Sequence, residues 1–228
     1  VTATDGFGVV VPLGPGGDGR LGAILERCRS IGATRLKVAL SRTDLSTPDG
    51  AERCAALLAE IARHVDVLPS VDATPPRSAD QPEGAEDPAV LAHALDGLLA
   101  RLGGTVRWLE VRDGRAGPHD RARREGEEHL AEVVAAVAAV ARRHGMAVAL
   151  GGLPPDEPAT LVALGRAGAL GMVDAVALDG RAVWGSVDRA GWPAAVAAVR
   201  SAVKGMGAAL EVWIGEAGVS TKGHEEAR

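Results

Sequence analysis

The sequence predicts a parallel (β/α) barrel of the TIM type, and three observations carry that prediction. Short Val/Ile/Leu-rich runs alternate with amphipathic segments of helical period along nearly all of the 228 residues, which is the mark of βαβ units around a parallel sheet. The apolar runs are continuous, as strands covered on both faces should be. The length suits one barrel domain of about 200–250 residues. Residues 1–228 are therefore read as one domain, with no second domain, internal repeat or long linker. Chemistry in such a fold belongs at the C-terminal ends of the strands.

The elements follow in order. Phe7–Leu13 is the first strand and Leu21–Ile31 its helix; Arg35–Leu40 leads to Ala51–His64, and Val65–Val71 to Pro88–Leu102. Val106–Val111 precedes the long helical segment Arg121–His144, Ala147–Leu150 precedes Pro158–Ala167, and Val173–Leu178 precedes Pro193–Met206. Glu211–Ile214 is the last strand. Gly32, Gly145 and Gly207 stand just past helical segments, where a left-handed residue ends a helix, and Asp87-Pro88 reads as an N-cap with proline in the first turn. Seven strands are counted where a closed barrel has eight, so the expectation is a barrel truncated after the seventh strand, with a gap between the first and the seventh. The least regular stretch, Thr74–Asp87, falls in the loop after strand three.

Composition narrows the function classes. A net charge of −5 disfavours nucleic acid, which selects a basic face. No apolar run reaches the ~18 residues of a membrane span, and no signal peptide is visible at Val1–Phe7, so a cytoplasmic protein is expected. Cys28 and Cys54 lie inside helical segments at no metal or disulfide spacing and read as small core residues. The six histidines are scattered, mostly on helices, so no metal is expected. Gly14-Pro-Gly-Gly-Asp-Gly19 fits neither a dinucleotide fingerprint nor a P-loop, and no cofactor is expected. Of the lysines weighed for Schiff-base chemistry, Lys37 lies within strand two rather than at its end, Lys204 in a helix and Lys222 in the last loop; none reads as well placed.

Residues that directly follow each strand are the site candidates. These are Ser41, Arg42 and Asp44 after strand two; Asp72, Thr74 and Arg77 after strand three; and Glu110, Arg112 and Asp113 at strand four. Asp156 and Glu157 follow strand five, Asp179, Arg181 and Trp184 strand six, and Glu216, Ser220 and Thr221 strand seven. So many carboxylates at one rim suit acid–base work on a polar substrate; a solvated rim of Arg–Asp pairs would read the same. Trp184 is the candidate sugar-stacking platform. Trp213 reads as packing between sheet and helices, Trp108 as core and Trp192 as structural.

Strand seven is the most informative segment. Glu211-Val-Trp-Ile-Gly-Glu216-Ala-Gly-Val-Ser-Thr221 sets a carboxylate at the end of an apolar strand, with small residues around it. The segment resembles the W-I/V-T/G-E-x-G-x-S/T-T stretch of retaining glycoside hydrolases with (β/α) barrels, and the resemblance implies that Glu216 is the nucleophile. Leu36–Asp44, Val71–Ser78, Leu150–Pro155 and Val173–Gly180 are similar to the strand-two, -three, -five and -six exits of the bacterial β-xylosidase-like branch, where a His is common at the position of Asp179. Strand four departs from the pattern. Its family form is an aromatic, Glu, an apolar residue and then W-N-E-P, whereas this chain reads Leu109-Glu110-Val-Arg-Asp113-Gly114-Arg115. Glu110 matches the earlier, structural Glu, Asp113 the Asn, and Gly114 the acid/base. A retaining mechanism needs two carboxyl groups about 5–5.5 Å apart, so Asp113 or Glu110 would have to act as the acid.

Three functions remain open at this stage. One is a glycosidase with Glu216 as nucleophile and Asp113 or Glu110 as acid. Another is a catalytically degenerate barrel that binds a sugar or nucleotide sugar, with Asp44, Asp72, Asp179, Trp184 and Arg42 lining the site. The last is a non-glycosidase isomerase or lyase. A small-molecule carbohydrate is the expected partner under the first two.

Overall fold

The computed structural model describes residues 8–12, 21–73, 87–113, 124–154, 158–179 and 191–216. Seven strands, β1 (Gly8–Pro12), β2 (Arg35–Leu40), β3 (Asp66–Asp72), β4 (Trp108–Arg112), β5 (Ala147–Leu153), β6 (Ala175–Asp179) and β7 (Glu211–Glu216), form one sheet in chain order. Every pairing is parallel. The helices are α1 (Leu21–Ser30), α2 (Arg42–Leu45), α3 (Pro48–Ala62), α4 (Pro88–Leu102), α5 (Arg124–Arg143), α6 (Pro158–Arg166) and α7 (Gly191–Gly205), with a 3₁₀ turn at Ala169–Met172. This is a parallel α/β barrel of the TIM type. Its ladder runs from β1 to β7, and among the described residues those two strands do not pair.

Local chemistry sets the element ends where the sequence indicated. Asp87 accepts a hydrogen bond from Ala89 N–H at 2.9 Å and caps α4. Gly32, Gly145 and Gly207 adopt φ of 71°, 72° and 73°, left-handed values that favour glycine. The short helix α2 is an addition to the sequence reading. Ser41 caps its N-terminus and Thr47 caps α3 two residues beyond its end, so two Ser/Thr caps within seven residues make a helix too short for a periodicity signal.

Strand alternation divides the sheet into two unlike faces. Leu36, Val38 and Leu40 of β2, Val67 and Val71 of β3, Leu109 and Val111 of β4, Val148 and Leu150 of β5, and Val176 and Leu178 of β6 are all buried. They join Leu58, Leu95, Leu98, Val134, Val137 and Leu164 of the helices in one apolar core. Each such Leu or Val contributes roughly 1.5–3 kcal/mol by leaving water. The intervening residues turn the other way, and there the sheet curls. In a flat sheet β2 and β7 would stand about 24 Å apart at the usual strand spacing, yet Lys37 Nζ lies 3.0 Å from Glu216 Oε1. Trp108 of β4 and Trp213 of β7 meet edge to face at 4.5 Å between ring centroids. This corrects the expectation that Trp213 packs between sheet and helices and Trp108 in the same core. The two tryptophans share the alternation of Glu110 and Gly215, and so meet across the barrel interior.

Candidate functional site

The interior layer begins with a lysine. Lys37 is 6% exposed, on the inner face of β2, with its Nζ 2.6 Å from Glu110 Oε2 of β4. Ser70 of β3 donates a hydrogen bond to the same oxygen at 2.5 Å. Glu110 is fully buried, and two glycines make room for it: a Cβ at Gly151 would lie 2.2 Å from Glu110 Oε1, and one at Gly215 would lie 3.4 Å away.

Above this layer, at the C-terminal ends of the strands, an arginine gathers the carboxylates. Arg112 Nη1 is 3.1 Å from Glu216 Oε1, its Nε 3.3 Å from Asp72 Oδ1 and its Nη2 3.8 Å from Asp179 Oδ2. Asp72, Asp179 and Glu216 end β3, β6 and β7. Glu216 thus holds two cations on one oxygen, Lys37 from below and Arg112 from the side. Asp113, next along β4, is buried, and its backbone N–H donates to Gly151 O at 2.9 Å.

Of the residues picked out by sequence, Glu216, Glu110, Asp72 and Asp179 are brought to one cluster. Arg42 and Asp44 lie beside it. Arg42 donates to the backbone carbonyls of Asp72 at 3.2 Å and Ala73 at 2.8 Å, stitching α2 to the end of β3. Asp44 lies within α2, 3.6 Å from Arg53 of α3. Trp184 and Gly114 lie outside the described residues, as do Thr74, Arg77, Asp156, Glu157, Arg181, Ser220 and Thr221. His144 hydrogen-bonds Asp96 at 2.8 Å; that bond, with Arg143, holds the Asp96 carboxyl below its ordinary range.

Two members of the cluster were missed by sequence reasoning. Lys37 was set aside because it lies inside β2 rather than at its end. The correction is geometric: a long side chain on the inner face reaches the neighbouring layer. The signal was present, because an ammonium in a strand covered on both faces must be paired. Ser70 likewise breaks the apolar run of β3 on the face shared with Lys37.

The arrangement limits the chemistry. Glu110 Oε2 and Glu216 Oε1 both contact Lys37 Nζ, at 2.6 and 3.0 Å, and so lie within about 5.6 Å of each other, a bound that includes the carboxyl spacing of a retaining glycosidase, about 5–5.5 Å. Both oxygens, however, are engaged by one ammonium. A carboxyl pair that cleaves a glycoside must flank the scissile bond.

No protein family and no curated protein matches the sequence. Solved structures do match the fold. The catalytic domain of a mannanase from Streptomyces sp. SirexAA-E superposes with a TM-score of 0.57 at 16% identity, over 95% of this chain and 66% of that one. A D-psicose 3-epimerase solved in the presence of D-fructose superposes with a TM-score of 0.52 at 13% identity, over 97% of this chain and 88% of that one. The chain thus spans just under two thirds of the mannanase domain's length. At these identities the likeness establishes the TIM-type barrel and nothing finer.

Proposed function

We propose that this barrel binds a neutral glycoside at the rim formed by Asp72, Arg112, Asp179 and Glu216, and does not hydrolyse it by a retaining mechanism. One observation carries the reading: Lys37 Nζ is ion-paired both with Glu216, the candidate nucleophile, and with Glu110, one of the two candidate acids. Carboxylates and a guanidinium at a strand-end rim are suitable partners for sugar hydroxyls, which both donate and accept. Trp184, five residues past the carboxylate of Asp179 in sequence, is the stacking residue of this proposal. The names of the two fold neighbours, a mannanase and a D-psicose 3-epimerase, support a sugar as ligand and do not choose between hydrolysis and isomerisation.

A second reading, an active glycosidase, is favoured by the closeness of Glu110 and Glu216 alone. It would need Lys37 to release Glu216, and either Glu110, sealed from solvent, or the buried Asp113 to reach a leaving group.

The test is calorimetric titration with para-nitrophenyl β-D-xyloside and β-D-mannoside, with released nitrophenolate followed in the same samples. Saturable binding, weakened by Glu216→Gln and by Trp184→Ala without release above the buffer rate, is expected. Absence of saturable binding would overturn the sugar-site reading. Release that Glu216→Gln abolishes would replace it with the glycosidase.

A further inference from the structure

The interior of this barrel is charged where bulky apolar residues usually fill it. Taking ions out of water costs several kcal/mol each, and replacing a buried ion pair by apolar residues of similar volume is often neutral or stabilising. Lys37 and Glu110 are 6% and 0% exposed, so stability is a weak account of their presence. Their partner across the interior is the better one.

We propose that Lys37 is a positioning residue for Glu216, itself held by Glu110 and Ser70, so that a chain running Ser70–Glu110–Lys37–Glu216 fixes the carboxylate presented at the rim. The inference rests on the reading of Glu216 as the ligand-facing residue. Each link has its geometry. Glu110 cannot swing away, because Gly151 and Gly215 wall its other oxygen and Ser70 holds the oxygen that faces Lys37. With Glu110 fixed, the ammonium of Lys37 is fixed, and its second contact is Glu216 Oε1 at 3.0 Å. The support is needed at that strand. In the described sheet β7 pairs with β6 alone, the register slips between Leu178 and Asp179, and Glu216 comes just after the slip. Ladder hydrogen bonds therefore define the end of β7 less well than the ends of β3 or β4. The tie from β2 through the interior adds a constraint from below to the one that Arg112 supplies at the rim.

The experiment compares wild type, Lys37→Arg and the double variant Lys37→Met/Glu110→Met, which removes the pair without leaving a lone buried charge. Thermal denaturation reports the fold, and titration with para-nitrophenyl β-D-xyloside and β-D-mannoside reports the site. Carboxyl ¹³C NMR of glutamate-labelled protein, with the Glu216 signal assigned by its loss in Glu216→Gln, reports whether that side chain holds one conformation. The double variant should keep or raise its Tm, bind the probes on the order of ten- to a hundred-fold more weakly, as misplaced contacts do, and broaden or split the Glu216 signal. Lys37→Arg should recover most of the binding. A double variant with unchanged probe affinity and a single unshifted Glu216 signal would overturn the proposal. If wild type binds neither probe, the sugar reading fails by itself, and the NMR comparison still decides the positioning role. If the double variant does not fold, the pair is structural and the proposal falls.

Discussion

The two faces of one sheet follow different rules. Outward, toward the helices, β2 to β6 present Leu36, Val38, Val71, Leu109, Leu150, Val176 and their neighbours in an unbroken apolar layer. Inward, the same strands present Lys37, Ser70, Glu110, Gly151 and Asp179, with Trp108 and Trp213 on the same face. The outer layer gains free energy from area removed from water and tolerates exchange of one aliphatic residue for another of like volume. The inner layer gains little net free energy, because attraction between buried charges is spent on their desolvation. What the inner layer provides is position. The difference teaches that here the fold is written on one face of the sheet and the site on the other.

Substitutions sharpen that contrast. The largest loss should come from the inner face when one charge is removed alone. Lys37→Met leaves Glu110 and Glu216 facing each other without their shared cation, and should cost about 3–5 kcal/mol in denaturant unfolding, the opposite of the tolerated double variant. Leu109→Ala, on the outer face of the same β4, should cost about 2–5 kcal/mol by opening a cavity while leaving ligand affinity unchanged. If Lys37→Met proves cheaper than Leu109→Ala and also leaves affinity intact, the division of labour between the faces is wrong. Gly151→Ala should have a smaller effect, about 1–3 kcal/mol of overpacking, since its methyl would press on Glu110 Oε1. Its signature is a loss of ligand affinity out of proportion to the loss of Tm.

The same division explains what the sequence disclosed. Outer-face residues recur with the spacing of strands and helices, so all seven strands, the parallel sheet and most helix ends could be read directly. The carboxylates at the strand ends were visible because barrel geometry gathers residues from distant parts of the chain at one rim. Lys37 was weighed and set aside for lying within its strand, and Ser70 was not singled out, because each is a lone polar residue within an apolar run, and sequence spacing does not say what lies across a curled sheet. Arg42 and Asp44 were placed in the site because they follow β2. The capped turn of α2 directs one to the backbone at the end of β3 and the other to Arg53. The assignment of Trp213 to the outer core failed on the same parity that places Gly215 beside Glu110.

The central claim is that Lys37 engages Glu216 together with Glu110, so that Glu216 holds a sugar without attacking it. The most direct measurement is a rapid-mixing experiment with dinitrophenyl β-D-xyloside or β-D-mannoside in excess over the protein, substrates whose leaving group needs no proton. With the acid requirement removed, only the nucleophile is under test, and a burst of released phenolate is the kinetic mark of a covalent intermediate. The account predicts saturable binding with no burst. A stoichiometric burst that Glu216→Gln abolishes would contradict it.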